Sequence, residues 1–296
     1  MEVWDEVRVQ VLRYKLLSML RLLALSAILC SRASAGDDPP TIDEAVQHLY
    51  DFDFPSTHEI LDRYITVHPQ DPLPYAFRSS AYLFSELDRL GILESEFLID
   101  DQRIVEKRKP TVPDGATRTQ FLKALNDTQA RADVALRANP ADCSALFAMS
   151  IAQGVATDYM ALVEKHQISS LSPARRSNDY AQRLLKLDPS FYDAYLTAGF
   201  SEYMVGSLPF FIRWFVHFDN VSGSKDRGKQ SLELVARQGR YFRPFAKILL
   251  GIISLREKKP KDAQRLLVDL AHEYPANPLF RKELAKLNSK LGLAAN

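Results

Sequence analysis

Six histidines are the first residues in this chain that could bind a metal or move a proton: His48, His58, His68, His166, His217 and His272. Their spacing argues against both roles. None forms the two-histidine, one-glutamate helical pattern of a zinc hydrolase, and no close pair has metal-ligand spacing. Glu94, Glu96, Asp100 and Asp101 cluster, but a calcium loop needs ligands at fixed positions and a glycine at its bend. The cluster reads as a solvated face. The run Ser222-Gly223-Ser224-Lys225-Asp226-Arg227-Gly228-Lys229 superficially resembles a phosphate loop. It lacks the leading glycine and follows no strand, so it reads better as a helix start with Ser224 as N-cap. Nucleophile-elbow and dinucleotide-binding motifs are absent. The sequence therefore predicts no catalytic residue, no cofactor and no metal.

What remains is the chemistry of apolar contact. Residues 210–218 hold five aromatics in nine positions: Phe210, Phe211, Trp214, Phe215 and Phe218. As a helix this segment is apolar nearly all round. It either anchors a partner or a membrane surface, or packs as a buried insertion over the rest of the fold. Arg213 and His217 lie one turn apart within it. They could receive a ligand carboxylate or simply form a solvated edge.

The elements that must position such contacts are punctuated four times by one phrase. It reads Val67-His68-Pro69-Gln70-Asp71-Pro72, Ala138-Asn139-Pro140-Ala141-Asp142, Leu187-Asp188-Pro189-Ser190 and Tyr274-Pro275-Ala276-Asn277-Pro278. An amphipathic helical pattern precedes each phrase, and a helical pattern rich in aromatic and small residues follows. Recurring helix–proline–helix punctuation predicts a helical repeat array. The spacings are uneven, which implies extra chain between paired helices near residues 91–117, 154–173 and 206–223. In a regular array such insertions project from one common side.

Bulky and small residues four apart support the pattern: Tyr75 and Ser79, Leu146 and Ser150, Tyr195 and Gly199. Leu250-Gly251, and Ala263 twelve positions before Pro275, add to it. Ala132 and Ala135, and Ala181 and Leu184, stand at the matching packing positions of second helices. On these residues the chain resembles the tetratricopeptide repeat family over about residues 41–291. The match is degenerate: Thr128 and Ser177 replace expected alanines, and the first unit fits only in its second half. The resemblance implies an all-α fold, a right-handed α-solenoid of tetratricopeptide-like helix pairs with inserted helices or loops. It also implies a concave face lined by the first helix of each pair. Phe147, Ile151, Asp193, Leu196, Phe200 and Tyr203 fall on that face, followed by Ile248 and Ile252. The expected function is a non-catalytic scaffold that binds a protein or peptide segment in an apolar groove, with Asp193 setting orientation. The alternatives are that an insertion or neighbouring helix fills the groove, or that Phe211 and Trp214 dock the protein on a membrane.

Composition bounds the partner. The net charge of +1 over 296 residues gives no basic field for nucleic acid. Arg21, an apolar core at residues 22–30 and Ala33-Ser34-Ala35 predict a signal peptide over residues 1–35, cleaved after Ala35, and a secreted or periplasmic protein. Met19 is the cleaner start of that signal, because Glu2, Asp5 and Glu6 suit it poorly. Without residues 1–35 the chain carries 33 basic and 34 acidic residues. Its one remaining cysteine, Cys143, reads as a small buried hydrophobe in a single domain spanning 36–296.

Overall fold

The computed structural model describes residues 40–94, 112–207 and 223–293. The signal segment, most of the 91–117 insertion and the aromatic run 210–218, with Phe211 and Trp214, lie outside them. Thr41–Asn296 forms one compact unit. Among the described residues there are eleven α-helices, one π-helical turn and no strand. In chain order they are α1 (Ile42–Tyr50), α2 (Phe54–Val67), α3 (Leu73–Arg89), α4 (Gly115–Ala138) and α5 (Cys143–Asp158). The π turn Tyr159–Val163 follows, then α6 (Gln167–Leu187), α7 (Ala194–Ser207), α8 (Lys225–Gln238), α9 (Arg243–Arg256), α10 (Pro260–Glu273) and α11 (Pro278–Lys290). Each helix packs against its neighbours in sequence, and α3 also packs against α5.

Two kinds of helix end alternate, and the sequence dictates both. The odd-numbered helices α1, α3, α9 and α11, and the π turn after α5, end on a left-handed residue: Phe52, Gly91, Lys258, Gly292 and Lys165. In each case the following amide reaches back over the end: Asp53 to the His48 carbonyl, Ile92 to Leu87, Lys259 to Ser254, Leu293 to Asn288 and His166 to Met160. This closure satisfies carbonyls that a helix end otherwise orphans.

Helices α2, α4, α6 and α10 end instead in the proline phrase, with the same bonds every time. His68, Asn139, Asp188 and Tyr274 each donate to the carbonyl four residues back. Each then accepts from the amide three residues on, at Asp71, Asp142, Phe191 and Asn277. The phrase also starts the next helix. Asp142 Oδ1 accepts from the Ala145 amide at 2.9 Å and Asn277 Oδ1 from Leu279 at 2.8 Å. Tyr75 and Tyr195, six residues past the prolines, donate to the Pro69 and Pro189 carbonyls, each at 3.2 Å.

Counting back eleven residues from His68, Asn139, Asp188, Gly239 and Tyr274 reaches Thr57, Thr128, Ser177, Gly228 and Ala263. All five are small and buried. They mark where each even-numbered helix meets a neighbour closely. Between α5 and α6, Ser150 Oγ donates to the Ser177 carbonyl at 3.1 Å and Ser177 Oγ to the Ser150 carbonyl at 2.7 Å. Between α7 and α8, Gly199 and Gly228 take the equivalent places with backbone against backbone.

Two local expectations need correction, and a third is met. Pro173 lies inside α6, buried, so residues 154–173 are helix, π turn and helix. Cys143 is half-buried rather than internal and donates to the Ala141 carbonyl at 3.7 Å. Ser224 does cap α8, accepting from the Arg227 amide at 3.3 Å.

Candidate functional site

The face expected to be an open groove is packed. Phe147 on α5 is 1% exposed and Ile151 is 5%. Phe147 stands 4.9 Å from Phe191, 5.5 Å from Phe242 and 6.0 Å from Tyr241, centroid to centroid. From the other side, Phe77 on α3 meets Tyr241 at 5.2 Å and Phe242 at 6.2 Å, and Phe84 meets Phe245 edge-on at 5.7 Å. Burying an aromatic of this size stabilises the fold by about 2–3 kcal/mol, so these side chains are core. Leu196 and Tyr203 on α7 are likewise buried, against Leu232, Val235, Ala246, Leu250 and Ile253. Ile248 and Ile252 are half-buried. The expectation that Phe147, Ile151, Leu196 and Tyr203 line a free surface is therefore corrected: helices α3 and α9 and the 239–242 turn fill the space in front of them.

Asp193 is corrected in the same way. It is 4% exposed, and it holds backbone rather than a partner. Its Oδ2 accepts from the Arg240 amide at 3.0 Å. Its Oδ1 accepts from Tyr241 at 3.0 Å and Phe242 at 2.7 Å. Three converging N–H groups make a small anion nest. Burial still pushes the Asp193 acid above the usual range, with the three amides pulling it back. Gly239 is required beside it, because a Cβ there would stand 2.7 Å from the Val235 carbonyl and 3.0 Å from Asp193 Oδ1. The carboxylate thus fixes the turn that aims Tyr241 and Phe242 inward and Arg240 outward.

Arg240 reaches across the molecule to α1. Its Nε donates to Asp43 Oδ1 at 2.8 Å and its Nη2 to Asp43 Oδ2 at 2.6 Å. This bidentate bond holds the Asp43 acid below its usual range. Asn277 Nδ2 donates to the Tyr50 carbonyl at 2.7 Å, and Lys282 Nζ to Glu94 Oε1 at 2.6 Å. The first helices are in this way tied to the last. No local pattern signals these pairs, since Asp43 and Arg240 are 197 residues apart.

Of the expected contact residues, Phe200 alone among those described stays open, 36% exposed. Met204, one turn further along α7, is 41% exposed. They form an apolar stripe that ends just before the aromatic insertion. A second feature absent from the sequence reading is buried polarity at the base of the first insertion. Glu86 is 1% exposed, accepts from Arg89 at 2.8 and 2.7 Å, and accepts from the Asp114 amide at 3.0 Å. Glu202 does the same at the 206–223 insertion, accepting from the Ser224 amide at 2.9 Å. A glutamate thus receives the N-cap residue of the returning helix in both places.

Among the described residues no group of three His, Cys, Asp or Glu side chains could hold a metal ion. Cys143–Val163 is long and apolar enough to cross a membrane, but most of α5 is core. Desolvation pushes the Asp158 acid at the end of that helix up to about 7, above its unfolded value of about 3.9. The folded chain therefore holds this proton more tightly, and the contribution to stability grows as pH falls from 8 through 7 toward 4. His58 acts oppositely. Burial, and then Arg78, push it down to about 4, so its contribution is full above about 6.5 and lost below. Asp158→Asn isolates the first effect. In urea titrations the variant is expected to be the more stable at pH 8 and to converge with wild type near pH 4. Parallel curves for the two chains would refute the assignment.

Compared with known proteins, the chain matches no family model, no curated sequence and no solved structure. Its function must be read from its own geometry.

Proposed function

We propose that this chain is an exported, non-catalytic protein-binding or scaffold module, built as a right-handed α-solenoid of tetratricopeptide-like helix pairs. One observation carries the reading: two alternating kinds of helix end recur along the chain, with a small buried residue eleven positions before each even-helix stop. Chains that repeat one supersecondary unit in this way stack into extended surfaces, and such surfaces bind macromolecules. The buried aromatics Phe147 and Tyr203, with Ile151, Leu196 and Asp193, serve as frame. The contact surface for a protein or peptide is the Phe200–Met204 stripe on α7, which precedes in sequence the segment that carries Phe211 and Trp214.

The test is a double substitution, Phe200→Ala with Met204→Ala. Both side chains are more than a third exposed, so helicity and unfolding midpoint should change little. Truncating two anchors of this size costs about 2–4 kcal/mol of binding, a loss of roughly thirtyfold or more. A specific protein captured from cell extract by immobilised wild-type chain, and identified by crosslinking and mass spectrometry, should be lost by the variant. Capture undiminished in the double variant would remove this surface from the function.

A further inference from the structure

Helix α1 occupies its place much as a bound ligand helix would. Its apolar residues Ile42, Ala45, Val46, Leu49 and Tyr50 fall at i, i+3, i+4, i+7 and i+8, so all lie on one face. All five are buried, at 6% exposure or less. That face looks partly on the neighbouring α2 and partly on the far end of the chain. Tyr50 meets the Tyr274 ring at 5.5 Å, its carbonyl is capped by Asn277, and burial pushes its hydroxyl well above the ordinary tyrosine range. At the other end of the helix, Asp43 is gripped by Arg240.

The hinge behind α1 is strained. Phe52, the residue that closes the helix, has φ +62°, a left-handed conformation that glycine adopts freely and a bulky side chain does not. At nine residues α1 is also too short to be stable by itself. It is therefore a weak helix on a strained joint, resting in a seat with an arginine at one end and an asparagine amide at the other.

We infer that this seat is an interaction site for an amphipathic helix of a partner, and that α1 is its resident, displaceable occupant. The partner helix would carry apolar residues at the five positions of the α1 face and an acidic residue immediately after the first of them, to meet Arg240. Asn277 would cap its C-terminal carbonyl. The inference deepens the reading of the chain as a binding module and names a second surface, distinct from the Phe200–Met204 stripe.

The probe is a fluorescent peptide with the sequence of residues 41–53, added to the full chain and followed by anisotropy. Wild-type chain should bind it weakly, because its own α1 fills the seat. Apparent affinity scales with the fraction of chains whose seat is open. Leu49→Ala weakens the resident helix without touching the seat, so it should tighten peptide binding at least tenfold. Asp43→Ala, a milder change on an exposed pair, should tighten it a few-fold and serves should Leu49→Ala fail to fold. Adding Arg240→Ala to Asp43→Ala should cost about fivefold, since the resident helix no longer uses Arg240 there and only the peptide loses its acid–arginine bond. A scrambled peptide should not bind. If the weakened chains take up the peptide no better than wild type, or take up the scrambled peptide equally, α1 is simply core and the inference is overturned. That outcome would leave the capture experiment on the Phe200–Met204 stripe unaffected.

Discussion

Gly228→Ala is expected to lower the thermal unfolding midpoint by about 6–12 °C, a loss of about 3 kcal/mol. A Cβ on Gly228 would stand 2.5 Å from the Tyr203 amide nitrogen, 2.6 Å from the Gly199 carbonyl oxygen and 2.8 Å from Tyr203 Cβ. Two of these neighbours are backbone of α7, so no side chain can rotate out of the way. The helices must separate, and separation opens the cluster of Leu196, Tyr203, Leu232 and Val235 that lies between them. The reciprocal change, Gly199→Ala, meets Ser231 Cβ at 2.6 Å and the Gly228 carbonyl at 3.0 Å, and should be nearly as costly. Gly251→Ala is the control. Nothing lies within 4 Å of its Cβ, and the position is inside α9, so alanine should be neutral or stabilise by up to about 1 kcal/mol. Calorimetry of the three variants would decide the matter. Equal midpoints for Gly228→Ala and Gly251→Ala would mean that α7 and α8 do not pack this closely.

The all-helical architecture was legible because its punctuation is local. Proline two residues into a connection, followed by aspartate or asparagine, encodes both the stop of one helix and the cap of the next, and neither signal depends on distant chain. The packing register was half legible. Reading it through alanine found Ala263 but missed that Thr57 and Gly228 hold the same place. The helix crossing selects for small volume, which threonine, serine and glycine meet as well as alanine. The candidate site was the least legible part. Phe147 and Ile151 lie on α5, and Leu196 and Tyr203 on α7. Whether the face they share is groove or core, however, depends on what packs against it. That packing comes from the 239–242 turn and from contacts between residues distant in sequence, such as Phe147 with Phe242 and Asn277 with Tyr50. Periodicity within a helix carries no information about either. Phe200 and Met204 could be told from Tyr203 only once α8 and α9 were seen to cover one side of α7.

Asp193→Ala is expected to be the most damaging polar substitution among the described residues, at about 3–5 kcal/mol. Two opposed effects compete at this position. Removing a buried carboxylate relieves a desolvation cost, visible in the raised Asp193 acid. It also strips the acceptor from three backbone amides, those of Arg240, Tyr241 and Phe242. Each buried donor left without a partner costs about 1–3 kcal/mol, and three of them outweigh the relief. Asp193→Asn separates the terms. Its side-chain oxygen can still serve Tyr241 and Phe242, while its amide nitrogen faces the Arg240 N–H, so about one bond is lost and the buried charge goes with it. That variant should lose no more than about 1–2 kcal/mol. The consequences of alanine should also reach α1. A loosened turn no longer presents the Arg240 guanidinium to Asp43, so hydrogen exchange in residues 41–50 should quicken together with that in 239–245, while exchange in α5 changes less. Acceleration confined to 239–245 would show that α1 is held by its apolar face alone and that Arg240 contributes nothing to the seat.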